Sequence, residues 1–285
     1  MPDCPDKAFV APPTGAAPSA GMQTPTNPSP IFETTPAGLA PARRLWRESF
    51  DLAGSVAVAL AMVAVLHTVL FQPFTIPSSS MEPGLVTGDY IVVSKFAYGW
   101  SGASLPFDLP LGHGRLLGHG PARGEVVVFR LPRDPSLVWV KRVVGLPGDR
   151  VQVRAGAVLV NGRAVARTPL GAVQDHDDGG RTVPLARETA DNGRAYLTYA
   201  GEPGHEGDDT AAYVVPEGQY FMMGDNRDNS LDSRWPASEG VGFLPARNIL
   251  GSAEIVMASW KPGAALWKPW TWLSLQPGRL LRPIR

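Results

Sequence analysis

Between Leu52 and Phe71 the chain reads LAGSVAVALAMVAVLHTVLF, twenty residues without an aspartate, glutamate, lysine or arginine. Coiled as an α-helix at 1.5 Å per residue, such a run is roughly 30 Å long, the thickness of a bilayer's hydrocarbon core. It predicts a transmembrane anchor over 52–71. Arg43, Arg44 and Arg47 stand before it in a basic juxtamembrane segment, 43–51, and no lysine or arginine follows until Lys95. The positive-inside rule then predicts a cytoplasmic N-terminus and an extracytoplasmic remainder. A cleaved secretory signal shares the basic start and apolar middle, but the long preceding chain, the length of the run and the exit through Gln72-Pro73-Phe74 oppose it. His67, near the outer end, reads as a neutral imidazole at headgroup level.

Residues 1–42 are thick with Pro, Ala, Thr and Ser and show no apolar period, which predicts a disordered cytoplasmic tail. The only cysteine, Cys4, lies there, so neither an internal disulfide nor a cysteine-based metal site is expected. With 26 basic and 26 acidic residues the chain lacks the electrostatic footprint that a nucleic-acid partner requires.

After the anchor, short runs rich in Val, Ile, Tyr and Phe alternate with Gly and Pro, at 89–95, 125–130, 137–144, 150–153, 213–215, 219–223 and 253–258. Val158 to Val165 reads as a hairpin turning at Asn161-Gly162, where both positions favour positive φ. The fold class expected is all-β: an antiparallel, barrel-like catalytic core over 72–259, closed or nearly so. Two Gly- and Pro-rich stretches interrupt it, Trp100–Pro121 and Pro169–Asp209, and the second belongs to an expected inserted β subdomain at about 150–215. The last segment, 260–285, holds Trp260, Trp267, Trp270 and Trp272 among Lys261, Lys268, Arg279, Arg282 and Arg285. Contact with a lipid headgroup layer and packing on the β core are both open readings of it.

Three stretches carry chemistry. In LVWVKRVVGLPGD, strand alternation puts Lys141 on the same side as Leu137, Trp139 and Val143, and Arg142 on the other. An amine against an apolar row loses hydration of its charged form, so its pKa falls and it can accept a proton; a lysine that snorkels to water is the alternative. In FTIPSSSMEPGLVTGDYIVVSK, three serines between Pro77 and Pro83 form a stiff polar bend that can present hydroxyls to a cleft or serve only as a turn. Ser80 lies nine residues past the apolar run. In GDNRDNSLDSR, Gly224 to Arg234, a calcium loop fails because its sixth position is Ser230 and its twelfth Pro236. An ion-pair cluster fits better, with Asp225 or Asp232 facing Arg142 and Arg234, and with Ser230 free to hydrogen-bond the lysine amine. None of His67, His113, His119, His176 and His205 stands in a zinc-helix pattern; His176 and His205 read as parts of a solvated loop, and no metal is expected.

SSSMEP at Ser78–Pro83, RGEVVVF at Arg123–Phe129, KRVVGLPGD at Lys141–Asp149 and GDNRDNSLDSR at Gly224–Arg234 occur in one order after an apolar segment. Together they resemble the bacterial type I signal peptidase family over about Phe74 to Ala258. The resemblance implies a serine endopeptidase of the bacterial plasma membrane, with its catalytic domain on the periplasmic side, that removes signal peptides from exported preproteins without metal or cofactor. It implies Ser80 as nucleophile, Lys141 as general base, Ser78 as an oxyanion donor, Ser230 as the lysine-orienting serine, and Asp225, Asp232, Arg142 and Arg234 as supporting ion pairs. By the same analogy Phe74, Ile76, Pro77, Met81, Leu85, Trp139 and Val140 line the substrate pockets. Gly84 departs from the family, which commonly carries Thr there, and this is expected to loosen the loop behind the nucleophile. A processing peptidase with another substrate, and an inactive membrane-tethered peptide-binding scaffold, are the competing readings.

Overall fold

A computed structural model of the chain describes residues 40–66, 70–99, 118–199, 201, 204–261, 264 and 268–285. Most of the tail, most of the Trp100–Pro121 stretch, His67, His113 and Trp267 lie outside the described residues. The chain divides into two units, Met1–Gly54 and Ser55–Arg285.

The helix α1, Ala40–Val65, begins earlier and ends sooner than hydropathy suggests. Its first turns carry Arg43, Arg44, Arg47, Glu48 and Asp51, which leaves fourteen apolar or small residues, 52–65. These extend about 21 Å. Phe71, placed at the end of the expected anchor, instead opens a strand. Among the described residues no helix is long and apolar enough to cross a membrane, so the expected anchor over 52–71, part of which lies outside the described residues, is not shown. Trp46, Phe50, Leu52, Val56, Val58, Leu60, Met62 and Val63 of α1 are all exposed.

Fifteen strands follow among the described residues: β1 Phe71–Thr75, β2 Asp89–Ser94, β3 Val126–Leu131, β4 Asp134–Gly145, β5 Arg150–Arg154, β6 Ala157–Val160, β7 Arg163–Ala164 and β8 Ala166–Gln174, then β9 Thr182–Thr189, β10 Ala195–Tyr199, β11 Tyr213–Val214, β12 Gln219–Met223, β13 Phe243–Pro245, β14 Ile249–Ser259 and β15 Arg282–Pro283. The large sheet runs β1-β2-β14-β3-β4-β12-β13, with β15 added to β14. Every ladder in it is antiparallel. Its order ends at β1 and β13, so hydrogen bonding does not close it into a barrel. Two smaller antiparallel sheets stand beside it in the sheet order, β10-β9-β8 and β11-β5-β6-β7. The β6–β7 turn takes Asn161 and Gly162 through φ 52° and 78°, the left-handed pair that a two-residue hairpin needs.

The central strand β3 explains how the core is shared. Its Val126 and Val128 join one buried cluster with Ile76, Met81, Leu85 and Ile91. Its Val127 and Phe129 face the other way, into a second cluster with Val143, Met222 and Leu244. A strand buried on both faces needs a continuous apolar run in place of alternation, and VVVF supplies it. β3 and β12 flank β4 and so hold its KRVVG inside the sheet.

At the β14 bulge between Ile249 and Gly251, a Cβ on Gly251 would strike the Ser94 carbonyl oxygen of β2. Because the obstacle is the Ser94 backbone carbonyl, with Val93 Cγ1 also close, Gly251→Ala should lower stability by about 1–3 kcal/mol, read as a shifted urea midpoint with an unchanged m-value.

Candidate active site

Lys141 lies on β4 opposite Val127, and only 4 % of it is exposed. Its Nζ donates to Ser80 Oγ at 2.6 Å and sits 5.5 Å from the centre of the Trp139 ring. Burial pushes the amine down from 10.5 to about 8; Asp232 and Asp225 pull upward, and Arg234 adds to the lowering. The apolar row that alternation predicts thus surrounds an amine that is readily neutral.

Ser80 occupies a 3-10 turn, Ser79–Met81, entered from an extended Ser78. Ser78 Oγ lies 3.4 Å from Ser80 Oγ. The turn is tied down from the Gly224–Arg234 loop: the backbone N–H of Asn226 donates to the Ser80 carbonyl at 3.2 Å, and Asn229 Nδ2 to Ser79 Oγ at 2.8 Å. Neither asparagine is singled out by the sequence reading, although both stand inside the motif.

Behind the lysine, three guanidinium–carboxylate pairs are buried. Arg142 Nε and Nη2 hold the two oxygens of Asp225 at 2.7 and 2.6 Å, and Arg142 Nη1 donates to the Gly124 carbonyl at 2.6 Å. Arg234 Nε and Nη2 hold Asp232 at 2.9 Å each, and the Gly224 N–H donates to Asp232 at 3.0 Å. Burial alone would raise the Asp232 carboxyl, but Arg234 and these donors hold it below the usual carboxylate range. The third pair, Arg227 with Glu188 at 2.7 and 2.5 Å, joins the loop to β9. Arg227 stands inside a quoted motif and was missed; Glu188 sits in the insertion with no local signal.

The structure departs from the sequence reading at Ser230, at Met81 with Leu85, and at Gly84. Ser230 is buried, yet its hydroxyl has no hydrogen-bond partner, so no Ser230–Lys141 bond is present here; Lys141 Nζ donates to Ser80 instead. Met81 and Leu85 do not line the cleft beside Ser80. Both are fully buried in the core, because with about three residues per 3-10 turn the side chain after Ser80 points roughly a third of a turn away from it. Gly84 does not loosen its loop: a Cβ there would lie 2.8 Å from Asp225 Oδ2, so the bare glycine makes room for the Arg142–Asp225 pair.

A cleft of about 440 Å³ opens over Ser80 and Lys141. Phe74, Ile76, Pro77, Trp139 and Val140 line it. Leu137, on the Lys141 side of the strand by alternation, also reaches it, as do Val138, Asn229 and Leu231, which the strand pattern alone does not mark. An apolar trough ending at a hydroxyl hydrogen-bonded to a neutral-prone amine can hold an extended peptide and attack its carbonyl.

The signal peptidase family, peptidase S26, matches residues 49–260. Signal peptidase I of Rickettsia typhi (strain ATCC VR-144 / Wilmington) is 37% identical over 215 residues, 73% of this chain and 79% of that one. Signal peptidase I of Rickettsia canadensis (strain McKiel) is likewise 37% identical over 215 residues, with the same shares. A solved signal peptidase I from Enterococcus faecalis V583 aligns over 47% of this chain and 97% of its own at 25% identity, with a TM-score of 0.28, and nothing rests on that superposition.

Gly84→Ala should push the Asp225 carboxylate off Arg142 and destabilise by about 1–3 kcal/mol; an unchanged melting temperature together with unchanged catalytic rate would show that the room at Gly84 is not needed.

Proposed function

The chain belongs to the signal peptidase family, peptidase S26, and on that premise we propose that it is a membrane-attached serine endopeptidase that removes signal peptides from exported preproteins with a Ser80/Lys141 dyad. The observation that carries the reading is the 2.6 Å contact between the buried Lys141 amine and the Ser80 hydroxyl. As Ser80 Oγ bonds to the scissile carbonyl carbon, its proton passes to neutral Lys141 Nζ. The Ser80 backbone N–H and the Ser78 hydroxyl receive the developing oxyanion. The lysine ammonium then protonates the leaving amine, the C–N bond breaks, and the ester left on Ser80 is hydrolysed by a water that Lys141 deprotonates. Ser230, with an unused hydroxyl, is assigned to steering the lysine once Ser80 has given up its proton. None of these steps draws on a metal or cofactor.

The substrate is an extended preprotein segment lying in the apolar cleft, cut after a small residue with another small residue two places before it. We assign catalysis to 72–259, with about 150–215 as an insertion that contributes Glu188 to the support of the loop. Membrane attachment draws support from the exposed apolar side chains of α1, with Arg43, Arg44 and Arg47 on its cytoplasmic side, and from exposed Trp270, Trp272 and Leu273 near the C-terminus. The proposed location is the bacterial plasma membrane with the catalytic part on the periplasmic face. An inactive peptide-binding scaffold would have no use for an amine held neutral against a hydroxyl.

Purified full-length protein in detergent should cleave a preprotein whose cleavage residue is alanine and spare one carrying phenylalanine there. Equal cutting of both would favour a processing peptidase of other specificity. Ser80→Ala and Lys141→Ala should each reduce cleavage to background, and so should Lys141→Arg, because a guanidinium stays charged; full activity in Ser80→Ala would sink the dyad. Ser78→Ala should lose about a hundredfold to a thousandfold in kcat. The lowered lysine pKa fixes the sign of the pH dependence: the amine is charged below about 8 and neutral above, so kcat/KM should climb with pH through about 8 and then level off.

A further inference from the structure

Glu82 lies two residues past Ser80 and is 0 % exposed, yet neither of its carboxylate oxygens accepts a hydrogen bond. A buried carboxyl group without hydrogen-bond partners is costly, so a fold keeps one only where something compensates it. What faces it is the turn between β8 and β9. His176 Nδ1 is 3.6 Å from Glu82 Oε1 and 3.4 Å from Asp177 Oδ1. One donor atom from each of the three residues falls within 4.8 Å of the others.

We propose that Glu82, His176 and Asp177 form a divalent transition-metal site, suited to zinc, which clamps the β8–β9 turn onto the segment that carries Ser80. Donor atoms bound at about 2.1 Å to a tetrahedral ion stand about 3.4 Å apart, the length of the tetrahedron's edge. Both histidine distances match that length. One imidazole nitrogen with two carboxylates selects a zinc-like ion over calcium or magnesium, which favour oxygen donors throughout. His176 and Asp177 are about a third exposed on their side chains, so an ion can enter from solvent while Glu82 closes the inner side. Thr87 Oγ1 donates to Asp177 Oδ2 at 2.7 Å, and the N–H of Asp177 donates to Asp175 Oδ1 at 3.1 Å, which orients the outer ligands.

The test is calorimetric titration of zinc chloride into full-length, chelator-stripped protein in detergent, beside Glu82→Gln, His176→Ala and Asp177→Asn. One zinc per chain is expected, with affinity lowered at least about tenfold in each variant and a zinc-induced rise in melting temperature confined to the wild type. Circular dichroism checks each fold; should Glu82→Gln misfold, the two variants on the partly exposed turn decide. Failure of wild type to bind zinc more tightly than about 0.1 mM, or equal binding in the turn variants, would overturn the site. Calcium binding in place of zinc, indifferent to His176→Ala, would overturn it as well.

Discussion

Dehydration of one amine organises the rest of this molecule. Lys141 sits in the centre of the large sheet, with Trp139 beside it and a single polar neighbour, Ser80 Oγ, within hydrogen-bond reach. Moving its pKa from 10.5 to about 8 corresponds to on the order of 3 kcal/mol of unfavourable differential solvation. A lysine on a pliable surface would relieve that cost by swinging its ammonium into water. It stays because β4 is hydrogen-bonded on both sides, which fixes the amine against Ser80 beside the apolar cleft.

The buried ion pairs secure the other half of the geometry. Ser80 comes from a connection between β1 and β2, on the opposite edge of the sheet order from β12, so covalent neighbours cannot hold it against β4. The Gly224–Arg234 loop does so. Asp225 fastens its start to Arg142, Asp232 and Arg234 fold its end back, Arg227 reaches Glu188 in β9, and the loop's asparagines hold the serine turn. Buried pairs of this kind add little over an apolar core in stability, but each forked contact admits one orientation. The glycines belong to the same arrangement. Side chains at Gly84 and Gly224 would enter the space taken by Asp225 and by Ser230 with the Ser80 carbonyl.

Much of this was legible in the residues, for stated reasons. The side of β4 that bears Lys141 follows from alternation, and the apolar runs of β2, β3, β4, β5 and β12 mark themselves. The three-stranded sheet did not: β8 is exposed along nearly all its length and contains Pro169 and Gly171, while β9 contains Pro184, so neither shows period-two patterning. Sequence proximity also misled at Met81 and Leu85, since adjacency to Ser80 says nothing of direction around a tight turn. The apolar run misled at its far end for a related reason. Hydropathy counts Phe71 with the helix, whereas Phe71–Thr75 gains a complete ladder with Tyr90–Ser94. Glu188 and Glu82 lay beyond reach because each acquires its meaning from a partner distant in sequence.

The carboxylates near the amine bring these strands together. Asp232 and Asp225 both raise the Lys141 pKa, while Arg234 lowers it. A bare aspartate at either position would hold the lysine as ammonium, and burial would then have been spent on a group unable to accept a proton. Arg234, forked onto Asp232, lowers the amine in turn and so offsets part of that upward pull. Arg234 therefore serves the proposed base twice, once by folding back the end of the loop that holds Ser80 and once by offsetting part of the negative potential of Asp232. Replacing Arg234 alone would undo the second effect even where the backbone held, since Asp232 would face Lys141 uncompensated at a site with almost no water to screen it.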